Sequence, residues 1–266
     1  MSKIIPGGIS AAFKKYAGNF HICDEKGVRD EYVAHNINLK IDHSVRVSGI
    51  AEKIAREECF SGEDTHLAVL CGLFHDIGRF EQFAKYRTFS DARSVNHAEL
   101  GARILVDSYL AGDMNTGERQ ILIDATRAHN MKDIPEDIDE VSLPFARLVR
   151  DADKIDILEI FCEYLPLREK TRNAALELDL PETDEYNPEI LEKIYRGETI
   201  PNSLRRSTTD MRIIHVAWVL DLNYRASYAE IIRRRTIERL ACFLPKNDTI
   251  DELVRYLLEC AEKNAH

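Results

Sequence analysis

The chain has 266 residues, 44% of them hydrophobic, and a formal net charge of -10. That is enough apolar material to build a substantial core. The acidic balance argues against a general nucleic-acid surface, although a local basic pocket or a metal could still hold a small anion. No apolar stretch approaches a membrane span, and residues 1–10 lack a charged-then-apolar secretory pattern.

The six cysteines, Cys23, Cys59, Cys71, Cys162, Cys242 and Cys260, form no Cys-x-x-Cys motif. A cytoplasmic location with reduced thiols is the expectation. Cys71 and Cys162 fall on apolar faces and read as small core residues.

Helical periodicity dominates and Val/Ile/Thr alternation is scarce, so the expected class is all-α. A short helix is expected over 10–20. Residues 21–35 read as turn-rich around Asp24 and Gly27, with His21 and His35 as surface or loop histidines. A long helix is expected over about 39–59, carried by Ile41, Val45, Val47, Ile50, Ala51 and Ile54. His43 stands in its first turn, and alone it reads as half-exposed. Ser61-Gly62-Glu63-Asp64 signals a helix N-terminus, with His66 exposed in the first turn.

The apolar run 67–74 leads into His75-Asp76-Ile77-Gly78-Arg79. An imidazole and a carboxylate thus close a buried helix, where unpaired polar groups are costly. A divalent metal would resolve that cost. Taken alone, the dipeptide is better read as a chance pair at a helix end, with His75 satisfying the last carbonyls. Residues 79–93 read as an irregular aromatic loop with a short helical turn. A helix over about 94–110 carries His97 in its first turn, and its Gly101 permits close packing. Thr116 or Asn115 caps the next helix, which ends at His129-Asn130, and an acidic loop covers 131–139.

Pro144 opens a helix to about Tyr164, carrying Asp151, Asp153 and Asp156. Asp153 falls among the apolar positions Val149, Ile155 and Ile157, so one carboxylate near the core is expected. Residues 166–185 read as a loop or insertion. Further helices are expected near 188–194, 209–225, 228–243 and 249–263, the last with a Thr249/Glu252 capping box. His215 reads as a packing histidine. The chain is expected to be one domain over 1–266, with C-terminal helical elaboration over about 186–266.

His43, His75, Asp76, His97, His129 and Asp153 stand at helix ends or inward faces. A helical bundle can gather such residues at its centre. Oxygen and nitrogen donors without thiolate suit iron, manganese, zinc or magnesium. Six donors exceed the need of one ion that keeps an open position; two ions sharing a carboxylate would use them all.

The pattern of His43, then His75-Asp76, then Asp153 resembles the HD-domain superfamily of metal-dependent phosphohydrolases. His97 and His129 extend the resemblance to its binuclear members, with an HD core at about 39–165. Asp153 fits the family's small-residue-then-Asp pattern, and Asp151 is the competing choice. Cyclic-dinucleotide hydrolases of the family carry Gly-Tyr-Pro, which is absent here. They also pair two histidines where this chain has His129-Asn130. Arg79 stands where related chains have Lys.

The resemblance implies that His43, His75, Asp76 and Asp153 hold one ion and that Asp76 bridges to a second, held by His97 and His129. It implies hydrolysis of a phosphomonoester or phosphodiester, with a nucleotide-like small molecule as the expected substrate. Arg79 is the candidate phosphate clamp, with Arg46 and Arg127 weaker candidates. Lys154 is expected to orient Asp153 or contact phosphate. The alternatives are a di-iron oxygenase of the same superfamily and a non-catalytic metal-stabilised regulatory module. No membrane partner is expected, and the sequence leaves a homo-oligomer open.

Overall fold

A computed structural model describes residues 7–21, 30–108, 110, 112, 114–170, 172, 173 and 176–266. Cys23 and the expected turn at 24–27 lie outside the described residues. The fold is all-α, and no strand occurs among the described residues. Two compact units, Met1–Asp153 and Lys154–His266, divide the chain inside one long helix. No helix among the described residues is long and apolar enough to cross a membrane.

The first unit contains α1 (Gly7–Gly18), α2 (Glu31–Glu57), α3 (Gly62–Phe74), α4 (Gly78–Tyr86), α5 (His97–Asp107), α6 (Thr116–Ala128) and the first half of α7 (Leu143–Tyr164). Helix α2 packs against α1, α3 and α4. Helix α6 packs against α3 and α5, and α4 packs against α5.

Helix α2 starts eight residues earlier than its sequence pattern suggests. The Asp30 carboxylate accepts from the Val33 amide and caps it, a contact worth about 1 kcal/mol. Val33, Ala34 and Ile37 are buried, so the apolar stripe begins before residue 39. His43 therefore sits in mid-helix and is buried, not half-exposed in a first turn. His35 is exposed, but on this helix. His66 is half-buried rather than exposed.

The expected loop after Gly78 is instead helix α4, followed by a short 3-10 turn, Asp91–Arg93. Phe80 and Phe83, three residues apart, are both buried on its inner face. Phe80 meets Phe13 edge-on at 5.6 Å, and Phe13 meets Phe74 at 5.7 Å. Each such aromatic pair adds about 1 kcal/mol beyond area burial. Two buried aromatics on one face are enough to fold a segment whose polar residues suggested a loop.

Gly78 sets the approach of α4 to α5. A Cβ there would lie 2.2 Å from the His97 carbonyl oxygen and 2.7 Å from the Gly101 nitrogen. These are backbone atoms, so no side chain can swing aside. Asn96 caps α5 by accepting from the Ala98 and Glu99 amides. Asn115 and Glu118 form a reciprocal capping box on α6.

The second unit contains the rest of α7 with α8 (Pro188–Tyr195), α9 (Thr208–Ala217), α10 (Arg225–Arg234), α11 (Thr236–Ala241) and α12 (Asp248–Ala265). The helix expected over 228–243 is two helices. Arg235 takes a left-handed conformation at φ 54°, which an α-helix cannot carry through. Helix α9 ends at Ala217 and gives way to a 3-10 turn, Trp218–Asp221. The cap of α12 is Asn247, which accepts from the Ile250 amide, in place of the expected Thr249.

The described residues of 166–185 are irregular apart from a short 3-10 turn, Leu165–Leu167, at their start. They are organised by Glu177, a buried carboxylate bonded by Arg168, Arg172 and Tyr164. His215 is buried between the rings of Phe161 and Trp218, each 4.5 Å away.

Gly78→Ala should destabilise the protein by about 1–3 kcal/mol, the usual cost of overpacking. Urea denaturation measures it, and a loss under about 0.5 kcal/mol would contradict the backbone contact.

His215 supplies a pH test. Burial, followed by the charge of Arg205, pushes its pKa from 6.5 down to about 3. Below pH 6.5 the unfolded chain takes a proton that the folded chain refuses. Stability is therefore fully present above 6.5 and falls as pH drops toward about 3, by up to about 1.4 kcal/mol per pH unit. His215→Phe should flatten this part of the profile; an unchanged acid limb would refute the assignment.

Candidate metal centre

The centre forms where three helix ends of the first unit meet the middle of α2. His75 is the C-cap residue of α3, His129 is the C-cap of α6, and His97 is the first residue of α5. His43 comes from α2 and Asp153 from α7. His43, His75, Asp76, His97 and His129 are buried, and Asp153 is half-buried.

Three overlapping trios bring donor atoms within 4.8 Å of one another: His43–His75–Asp76, Asp76–His97–His129 and His75–His129–Asp153. All six residues selected from the sequence as metal ligands are among them. Asp151 is fully buried but belongs to none of the three trios.

Asp76 stands at the centre, and its two oxygens face different groups. Oδ2 lies 3.5 Å from Nε2 of both His43 and His75, and accepts from Lys40 Nζ at 2.7 Å. Oδ1 lies 3.2 Å from His97 Nε2, 3.5 Å from His129 Nε2 and 3.4 Å from Arg79 Nε. Each oxygen therefore has two imidazoles and one cationic side chain. Asp153 Oδ1 lies 3.1 Å from His43 Nε2 and 3.5 Å from His75 Nε2.

The far ring nitrogens fix which atoms face inward. His75 Nδ1 donates to the Gly72 carbonyl at 2.8 Å, and His129 Nδ1 donates to the Thr126 carbonyl at 2.6 Å. A carbonyl only accepts, so Nδ1 carries the proton. His97 Nδ1 lies 2.8 Å from both oxygens of Asp91. A neutral imidazole held in this way presents its Nε2 lone pair.

Nε2 of His43 and His75 approach to 3.2 Å, and Nε2 of His97 and His129 to 3.0 Å. The Nε2 lone pairs of His97 and His129 face one another and Asp76 Oδ1, and they repel unless a cation lies among them. Asp153 Oδ1, beside the Nε2 atoms of His43 and His75, brings a further anionic oxygen to the same cluster. These donors fit divalent ions, with hard oxygen and imidazole nitrogen as the ligand atoms.

The electrostatics keep the ligands in their binding forms. Burial opposes ionisation of Asp76, but the Lys40 ammonium and the surrounding imidazoles overcome it and hold the carboxyl well below its usual range. Burial likewise opposes ionisation of Asp153, and His43 and His75 pull it well down. His97 is kept neutral because burial, then the Arg79 charge, lowers its pKa against the pull of Asp76 and Asp91.

Asp91 was not singled out from the sequence, yet it anchors one side of the centre. It meets His97, Arg79, Gln82 and Asn130. Burial raises its pKa, while His97, Arg79 and Gln82 bring it down to about 2. It lies in the 3-10 turn, where no periodicity marks it. Asn130 donates to Asp91 at 3.0 Å. Lys40 also escaped notice, although it stands one turn before His43 on the same face of α2.

Arg79 is held by three acceptors at Nη1: Phe89 O at 2.6 Å, Gln82 Oε1 at 2.8 Å and Asp91 Oδ1 at 3.0 Å. Lys154 lies in the second unit, where it donates to the carbonyl and carboxylate of Asp221. Arg127 pairs with Glu99 at the surface, and Arg46 is exposed. Arg150 donates to the carbonyls of Ala128, Met131 and Lys132, fastening α7 to the turn that carries His129.

The family model of the HD domain matches residues 41–158, a span that holds all six candidate ligands. No curated protein and no solved structure matches the chain.

Asp91→Ala frees the His97 ring and should weaken the ion held with His129 by about 10–100-fold, the usual cost of losing such a partner. Mn2+ titration calorimetry reads this directly. Unchanged affinity would show that Asp91 does not position the ligand.

Proposed function

Residues 41–158 are an HD domain, a domain of the metal-dependent hydrolase superfamily, and from that premise we propose that the protein is a phosphohydrolase acting on a small nucleotide-like phosphoester. The observation that carries the reading is the division of Asp76, with one oxygen toward His43 and His75 and the other toward His97 and His129. His43, His75, Asp76 and Asp153 would hold one divalent ion, and Asp76, His97 and His129 a second. Bound divalent ions lower the pKa of water and neutralise phosphoryl oxygens.

The protein's own groups complete the site. The Nδ1 bonds of His75, His97 and His129 hold the rings in place before a ligand arrives, so little reorganisation is needed. Burial of the imidazoles keeps bulk water from competing for the donors. Lys40 and Arg79 supply positive charge beside the shared carboxylate, which suits an anionic phosphoryl group better than a neutral substrate. The half-buried ring of Phe89 lies 5.5 Å from Lys40 Nζ and 5.8 Å from Arg79 Cζ, an aromatic face beside the cations that supports a nucleotide-like substrate.

Anaerobically prepared protein should contain about two metal ions per chain and release phosphate or a phosphomonoester from at least one member of a nucleotide and phosphoester panel. Asp76→Ala should lose both metal and turnover while its helical circular dichroism persists. A fully active Asp76→Ala protein would sink the reading. Iron content with an O2-dependent product and no phosphate release would instead favour the oxygenase chemistry.

A further inference from the structure

Two cations flank Asp76, and they are held differently. Arg79 is fixed by Asp91, Gln82 and the Phe89 carbonyl. Lys40 has a single ion pair among the described residues, Nζ to Asp76 Oδ2 at 2.7 Å, and its side chain is 19% exposed. Its ammonium also lies over the Phe89 ring at 5.5 Å.

Oδ2 is the oxygen that faces His43 and His75, and Asp76 forms a donor trio with these two. An ammonium and a divalent ion therefore compete for the same oxygen. The lysine stem is long and flexible, and the aromatic face of Phe89 lies beside the ammonium when it leaves Oδ2. Arg79 has no such freedom, because moving it breaks three bonds, one of them to Asp91.

We propose that Lys40 is a displaceable counter-ion: it neutralises Asp76 before metal is bound, and on metal loading it turns to a phosphoryl oxygen of the substrate. This rests on the phosphohydrolase reading and deepens it. It makes Lys40 the substrate-contacting cation and leaves Arg79 as a positioning residue. Metal uptake and substrate charge recognition are thereby coupled, since the same ammonium is released by the first event and used in the second.

The test uses the full chain, Mn2+ and inorganic phosphate. Lys40→Met preserves the helix and the length of the stem while removing the charge. Without the competing ammonium, its Mn2+ affinity should rise by about fivefold to tenfold. Phosphate binding to the Mn2+-loaded variant should weaken by about tenfold, the loss expected of one charge-assisted hydrogen bond. Lys40→Arg should recover most of the phosphate affinity.

A merely structural lysine predicts the opposite for the metal, an affinity that is unchanged or reduced, and that result would overturn the proposal. Equal phosphate affinity in wild type and Lys40→Met would also overturn it. Failure of the underlying reading looks different: wild-type protein would take up no Mn2+, or would bind Mn2+ but not phosphate.

Discussion

The structure of the first unit turns on one buried carboxylate. Asp76 is placed where four imidazoles and two cations converge on its two oxygens. A carboxylate so buried is tolerated only when its charge is answered. Here the answer comes from five helices: α2 supplies Lys40 and His43, α4 supplies Arg79, and α3, α5 and α6 supply a histidine each at or beside a terminus. The packing of these helices is therefore also the assembly of the site.

Helix termini suit this arrangement for a physical reason. The last carbonyls of a helix have no partner within it. In α3 and α6 one of those carbonyls, three residues back, takes the Nδ1 proton of the C-cap histidine. The same bond satisfies the backbone and directs Nε2 inward. His97 begins its helix and has no such carbonyl behind it, so the carboxylate of Asp91 serves instead. Gly78 lets α4 approach α5 closely enough for Arg79 and Asp91 to join that support.

Much of this was legible in the sequence because the ligands sit at positions that periodicity marks. Helix ends are visible from caps and from the end of an apolar stripe, and they locate His75, His97 and His129. Asp153 stood out as a charge among apolar neighbours. His43 was recognisable only through the wider pattern, because the start of α2 was misplaced when Asp30 was not read as a cap. Lys40 and Asp91 were missed for different reasons. A lysine one turn from a histidine looks like an ordinary solvated residue, and the partner that makes it matter is 36 residues away in sequence. Asp91 lies in a short irregular segment where only tertiary contacts give a side chain its direction. The aromatic segment after Gly78 reads in sequence as a loop with a short helical turn because its polar residues hide the spacing of Phe80 and Phe83.

The central claim is that Asp76 is shared between two ions, and electron paramagnetic resonance of the Mn2+-loaded protein tests it most directly. Two ions joined through one carboxylate are magnetically coupled. The account predicts a coupled dinuclear spectrum at about two Mn2+ per chain, reduced to an isolated-ion signal in the His97→Ala protein. Isolated six-line signals from the wild type at every loading would contradict it.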